Sequence, residues 1–113
     1  MLNVTSEEPG VGAGVLLRAL EPLEGIEVMK RLRGTEKVRD LARGPGRLAT
    51  ALEVDLRLDG VDLCVDGPLW LGRAVRETAA IRTSVRIGIT REVGRPLRFF
   101  ESGSPFVSGP AAK

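Results

Sequence analysis

"MLNVTSEEPGVGAGVLLRALEP", residues 1–22, decides the fold class. Residues 1–4 have strand composition, residues 6–14 are turn chemistry rich in Gly with one Pro, and residues 15–20 resume an apolar run. That order predicts a β-hairpin. A first arm that starts at residue 1, without the few polar residues that usually precede a domain, is expected to be a cut through something larger.

Outward from the hairpin the pattern turns helical. Ile26, Met29 and Leu32 recur at helical spacing, Lys30, Arg31 and Arg33 suit the dipole at the C-terminal end, and Gly34 stops the run. Thr35 is a candidate N-cap for a short helix through Leu41. In "ARGPGRLATAL", residues 42–52, Pro45 fits a first helical position and Leu48, Ala49 and Leu52 form a buried stripe. Residues 55–67 are broken by Asp and Gly and predict irregular structure. "GPLWL", residues 67–71, predicts a brief strand. "TSVRIGIT", residues 83–90, alternates, with Val85, Ile87 and Ile89 on one side. A short apolar segment and a Gly-Ser-Pro turn follow, and residues 109–113 are expected to be a loose tail. Strands and short helices without regular βαβ alternation predict one α+β domain with a mixed, largely antiparallel, curved sheet.

Composition narrows the chemistry. At 113 residues, 42% apolar and 28% charged, the chain has the balance of an ordinary globule. No apolar run reaches the length of a membrane helix, and no signal peptide is expected. With no His and one Cys (Cys64), a disulfide within the chain is excluded, and a transition-metal site or a Ser-His-Asp or Cys-His set is not expected. Gly12-Ala13-Gly14 lacks the Lys-Ser/Thr of a phosphate-binding loop. Of 17 basic residues, 14 are Arg. GC-rich codon usage accounts for that bias, and phosphate recognition is its functional alternative.

Single residues carry two readings each. Arg18 shares a strand face with Leu16 and Leu20, so it is either half of a structural ion pair or a site residue, because an unpaired buried guanidinium is costly. Asn3 reads as a turn-capping strand end and Leu16 as core. Gly44, Gly46 and Arg47 open a helix, where free N–H groups and a basic side chain could meet a phosphate; otherwise they make a good helix start with a solvated Arg. Arg95 and Arg98 would add to such a basic face.

Three stretches taken together, "GVLLRALEPLEG" (14–25), "ARGPGRLATAL" (42–52) and "RIGIT…RPLRFFESGSPFVS" (86–108), resemble the C-terminal part of the 3-methyladenine (alkylpurine) DNA glycosylase family. The resemblance covers almost the whole chain, so that residues 1–113 correspond to the C-terminal part of one such domain. It implies hydrolysis of the N-glycosidic bond of alkylated purines in double-stranded DNA after base flipping, without metal or other cofactor. It also implies a monomer when the full domain is present, in the cytoplasm of a bacterium and associated with its nucleoid. By the same resemblance, Arg18 and the backbone carbonyl of Ile87 hold the attacking water, Asn3 and Leu16 line the base pocket, and position 47 contacts DNA. The water-activating Glu and the stacking Tyr and His residues belong to a family portion that has no counterpart in these residues, which contain no Tyr and no His. The alternative is a non-catalytic DNA-binding or structural fragment of the same fold.

Overall fold

The computed structural model describes residues 1–5, 14–74, 76–86 and 94–108. The opening hairpin is present: β1 (Asn3–Val4) pairs antiparallel with β2 (Val15–Leu16), Asn3 opposite Leu16 and Val4 opposite Val15. The second arm is shorter than expected because the chain changes partner. The Leu17 N–H still donates to Leu2 O (3.0 Å), but the Leu20 N–H donates to Ala42 O (3.1 Å) and the Gly44 N–H to Arg18 O (2.8 Å), with an antiparallel bridge between Ala19 and Arg43. One extended segment, residues 15–20, is thereby stitched first to the N-terminal strand and then to the entry of a helix.

The expected helix forms as α1 (Ile26–Arg33) and stops at Gly34, whose left-handed φ of 66° a side chain would disfavour and whose N–H closes on Lys30 O at 2.8 Å. Lys30 lies between Glu27 (3.2 Å) and Glu36 (3.4 Å), and the bonds to these carboxylates raise its pKa. The helix expected from Thr35 to Leu41 reduces to a 3-10 turn at Val38–Asp40. Its last carbonyls accept from Arg33 instead of continuing a helix: Nε to Leu41 O at 2.9 Å and Nη2 to Asp40 O at 3.2 Å. These bonds fasten the end of α1 to the entry of α2 (Pro45–Ala51), which starts at Pro45 as expected.

The core lies where α2 meets the stitched segment. Leu41 and Leu48 are wholly buried and Ala42, Ala49 and Ala51 nearly so, and Leu2, Leu17, Met29 and Leu52 pack against the cluster of Ala42, Leu48 and Ala51. The stripe expected from Leu48, Ala49 and Leu52 is therefore the core face, with Leu52 at its edge.

Residues 55–67 are irregular apart from a 3-10 turn at Leu56–Leu58, capped by Asp55, whose carboxylate accepts from the Arg57 N–H at 2.9 Å. The strand expected at residues 67–71 does not form. Trp70 is 58% exposed and its ring lies over Gly72, close enough that a Cβ there would stand 2.8 Å from it. Pro68 has no N–H to donate, and no strand lies beside the segment to pair with it among the described residues.

The second ladder joins β3 (Ile81–Ser84) antiparallel to β4 (Arg98–Glu101), with Ser84 opposite Arg98 and Ile81 opposite Glu101. It begins two residues before the expected alternation, and residues 87–90 of that expectation lie outside the described residues, as does the tail. The fold is α+β with antiparallel pairing, but the single curved sheet expected is, among the described residues, two separate two-stranded ladders. No described helix is long and apolar enough to cross a membrane.

Candidate functional site

A cavity of about 700 Å³ opens between the stitched segment and the second ladder, and its walls include Leu16, Arg18, Arg98 and Ser108. All three phenylalanines of the chain, Phe99, Phe100 and Phe106, line it as well. At one edge Arg76 bridges two carboxylates, Glu21 at 3.5 Å and Glu101 at 3.4 Å, so β4 and the end of the stitched segment are joined across it.

Arg18 is half-buried in this wall. Its Nε donates to Ser108 Oγ at 3.3 Å, and among the described residues no carboxylate pairs with it. An ion pair in that position would have required an acid within about 4 Å; here the guanidinium keeps its charge uncancelled and is anchored by a neutral hydroxyl.

Arg98 is turned the other way from its expectation. It is 7% exposed, and its guanidinium faces inward rather than joining an outer basic face. Nη1 donates to Ser84 Oγ (2.9 Å), Nη2 donates to the Ser108 carbonyl (2.6 Å), and the guanidinium carbon lies 4.5 Å from the centre of the Phe100 ring. Burial, and secondarily the positive charge of Arg18, lower its pKa from the usual arginine value. The inward turn follows from register: Ser84 is its cross-strand partner, and the face they share is the one the C-terminal segment covers.

The remaining expected positions divide. Asn3 and Leu16, both expected in the base pocket, are directly opposed in the first ladder. Leu16 shares the cavity of Arg18, whereas Asn3 lines a second cavity of about 700 Å³ with Asp55, Leu58 and Leu69. The Ile87 carbonyl lies outside the described residues. Gly44 precedes α2 with φ 136° and ψ 147°, a backbone that only Gly adopts readily, and its carbonyl accepts the first helical bond from Leu48 at 2.8 Å. Gly46 and Arg47 are exposed, and the Arg47 stem lies beside Gly44, 3.7 Å from where a Cβ would be. Arg95 is exposed on the approach to β4.

Residues 14–25 and 42–52, two stretches that the sequence joined only by resemblance, are thus joined by backbone bonds: the carbonyl of Arg18 is tied to the N–H of Gly44. Ser108 is the site residue that single-residue inspection missed. A serine near the end of a Gly-Ser-Pro turn carries no signal of its own, and only the two arginines aimed at it reveal its position.

The family model for methylpurine-DNA glycosylase matches residues 1–105. The chain belongs to the methylpurine-DNA glycosylase family. It is 63% identical over 110 residues to a candidate 3-methyladenine DNA glycosylase of Mesorhizobium japonicum, covering 97% of this chain and 53% of that protein. A Paraburkholderia phytofirmans protein of the same description is 52% identical over 110 residues, 97% of this chain and 52% of its own length. The DNA-3-methyladenine glycosylase of Mus musculus is 43% identical over 122 residues, 95% of this chain and 36% of that protein. The chain spans about half the length of the bacterial relatives it matches.

Proposed function

We propose that these residues form the water-holding and DNA-gripping part of a base-excision repair glycosylase that removes alkylated purines of the 3-methyladenine class from double-stranded DNA. The observation that carries this reading is Arg18: a half-buried guanidinium on a cavity wall, anchored by Ser108 and without a carboxylate among the described residues. Such a group suits a water molecule and the anionic partners of a hydrolytic site better than it suits a structural ion pair.

Once the damaged nucleotide is flipped out, the bond between the sugar C1′ and the base nitrogen breaks with its electron pair leaving on the base. The water oxygen bonds to C1′, and its proton passes to a general base, which the family resemblance expects to be a Glu in the portion of the relatives that this chain does not span. Arg18, with the Ile87 carbonyl, orients that water. Leu16 and Asn3 border the purine, and Gly44, Gly46, Arg47 and Arg95 face the phosphates. The chemistry asks for no metal or nucleotide. In this reading the complete domain acts as a monomer on DNA associated with the bacterial nucleoid.

The test joins the chain to the part of the Mesorhizobium relative that it does not cover. The joined protein is expected to release 3-methyladenine from alkylated duplex DNA and the 113 residues alone to release none, since loss of a general base costs about 10²–10⁴-fold. Arg18→Ala in the joined protein should slow single-turnover release about 10²-fold while leaving DNA affinity nearly unchanged. Arg47→Ala should weaken damaged and undamaged duplexes alike and make the slope of log K against log[salt] shallower by about 0.9, the contribution of one phosphate. DNA binding without release by the joined protein would favour the non-catalytic alternative.

A further inference from the structure

We propose that Ser108 is a positioning residue: its hydroxyl aims the Arg18 guanidinium into the cavity, and Arg98 holds Ser108 in place from behind. The inference rests on the glycosylase reading, because it takes Arg18 as the side chain that orients water.

A long arginine side chain has many rotamers and must be fixed from outside if its head is to act at one point. A carboxylate commonly does this, at the expense of cancelling the charge. Around Arg18 the described residues offer a different solution. Ser108, 5% exposed, accepts the Arg18 Nε–H at 3.3 Å, so the guanidinium is engaged at its inner nitrogen and the two terminal nitrogens extend beyond the anchor. A neutral acceptor leaves the positive charge intact for the site.

The anchor is itself braced. Arg98 Nη2 donates to the Ser108 carbonyl at 2.6 Å, while Nη1 donates to Ser84 on β3 at 2.9 Å. A third arginine, Arg39, donates through Nε to Pro105 O at 2.9 Å and pins the same segment three residues earlier. Phe106 N–H bonds back to Ser104 Oγ at 3.2 Å, closing the turn between these pins. The segment 104–108 is therefore held by arginines from three parts of the chain, and Ser108 is where a hydroxyl side chain meets Arg18, which lines the cavity with no carboxylate paired to it among the described residues. The lowered pKa of Arg98 agrees with this arrangement, since a carboxylate between the two guanidiniums would oppose the shift.

Two readouts test the proposal. In the joined glycosylase, Ser108→Ala should lower the single-turnover release rate by about tenfold to 10²-fold, as a misplaced catalytic contact does. DNA affinity should stay within about twofold, and Ser108→Thr, which keeps the hydroxyl, should restore most of the rate. In the 113-residue chain, the Arg18 Nε–H proton followed by nuclear magnetic resonance should exchange slowly with solvent in the unsubstituted and Ser108→Thr proteins and rapidly in Ser108→Ala. Equal release rates for Ser108→Ala and the unsubstituted protein would overturn the proposal. So would a rate lost in proportion to DNA affinity, or an Arg18 signal indifferent to Ser108. If the unsubstituted joined protein releases no base, the glycosylase reading fails separately, and the Arg18 signal alone decides whether Ser108 holds that side chain.

Discussion

The helical layer and the second ladder are held together by opposite means. Around α2 the chain buries Leu41, Leu48 and three alanines, and polar groups play little part in that cluster. In β3 and β4 the apolar side chains of Ile81 and Phe99 stand largely in water, 58% and 65% exposed, and the buried groups are Arg98 of β4 and Ser108 of the segment that covers it. One region is stabilised by removal of apolar area from water, the other by charge-assisted hydrogen bonds in a half-dry pocket. A region of the first kind tolerates polar rearrangement at its surface; a region of the second kind depends on a few oriented donors.

Substitutions can break that contrast in order of size. Leu48→Ala should cost about 2–5 kcal/mol, seen as a lower denaturant midpoint, because a wholly buried side chain leaves a cavity. Arg98→Met should cost about 1.5–3 kcal/mol through the charged hydrogen bonds lost at Ser84 and Ser108, although the substitution adds no polar group. A cost below about 0.5 kcal/mol would mean that the second region is not held by its arginine.

Gly44→Ala should cost about 1–3 kcal/mol, since its φ of 136° admits a side chain only with strain. Gly46→Ala, two residues on and open on every side, should be neutral or stabilise by about 0.5–1 kcal/mol. The pair separates the backbone requirement at the start of α2 from any general need for glycine there. Smallest of all, Ile81→Ala should change stability by less than about 0.5 kcal/mol in the same denaturation experiment, because the side chain already stands mostly in water.

The same contrast explains what was legible in the sequence. α1 and α2 could be read directly, because apolar spacing, Pro45 and Gly34 encode burial and termini within a few residues. The short helix after Thr35 was over-read because its fate depends on Arg33, a competitor from the preceding helix. The strand at Trp70 was over-read because an apolar run does not supply a pairing edge. Arg18 was recognisable as unusual from its strand position, but whether an acid faces it is a fact of three dimensions. Arg98 was misjudged as outward because its partners, Ser84 and Ser108, lie 14 and 10 residues away and neither belongs to a motif.

The hydrogen bond from Arg18 to Ser108 closes a loop of 90 positions. Loop-closure entropy must be overcome before such a contact yields anything, whereas the contacts between α1 and α2, from Ile26 at most to Ala51, close far shorter loops. Assembly of the molecule is therefore expected to have an order: the helical layer condenses first, and the guanidinium on the cavity wall gains its anchor only when Arg18 meets the C-terminal end of the described residues. Slowed exchange of the Arg18 Nε–H is then expected to time this long-range closure, and a chain that has buried Leu48 but not yet joined Arg18 to Ser108 would be compact, helical and without a formed site.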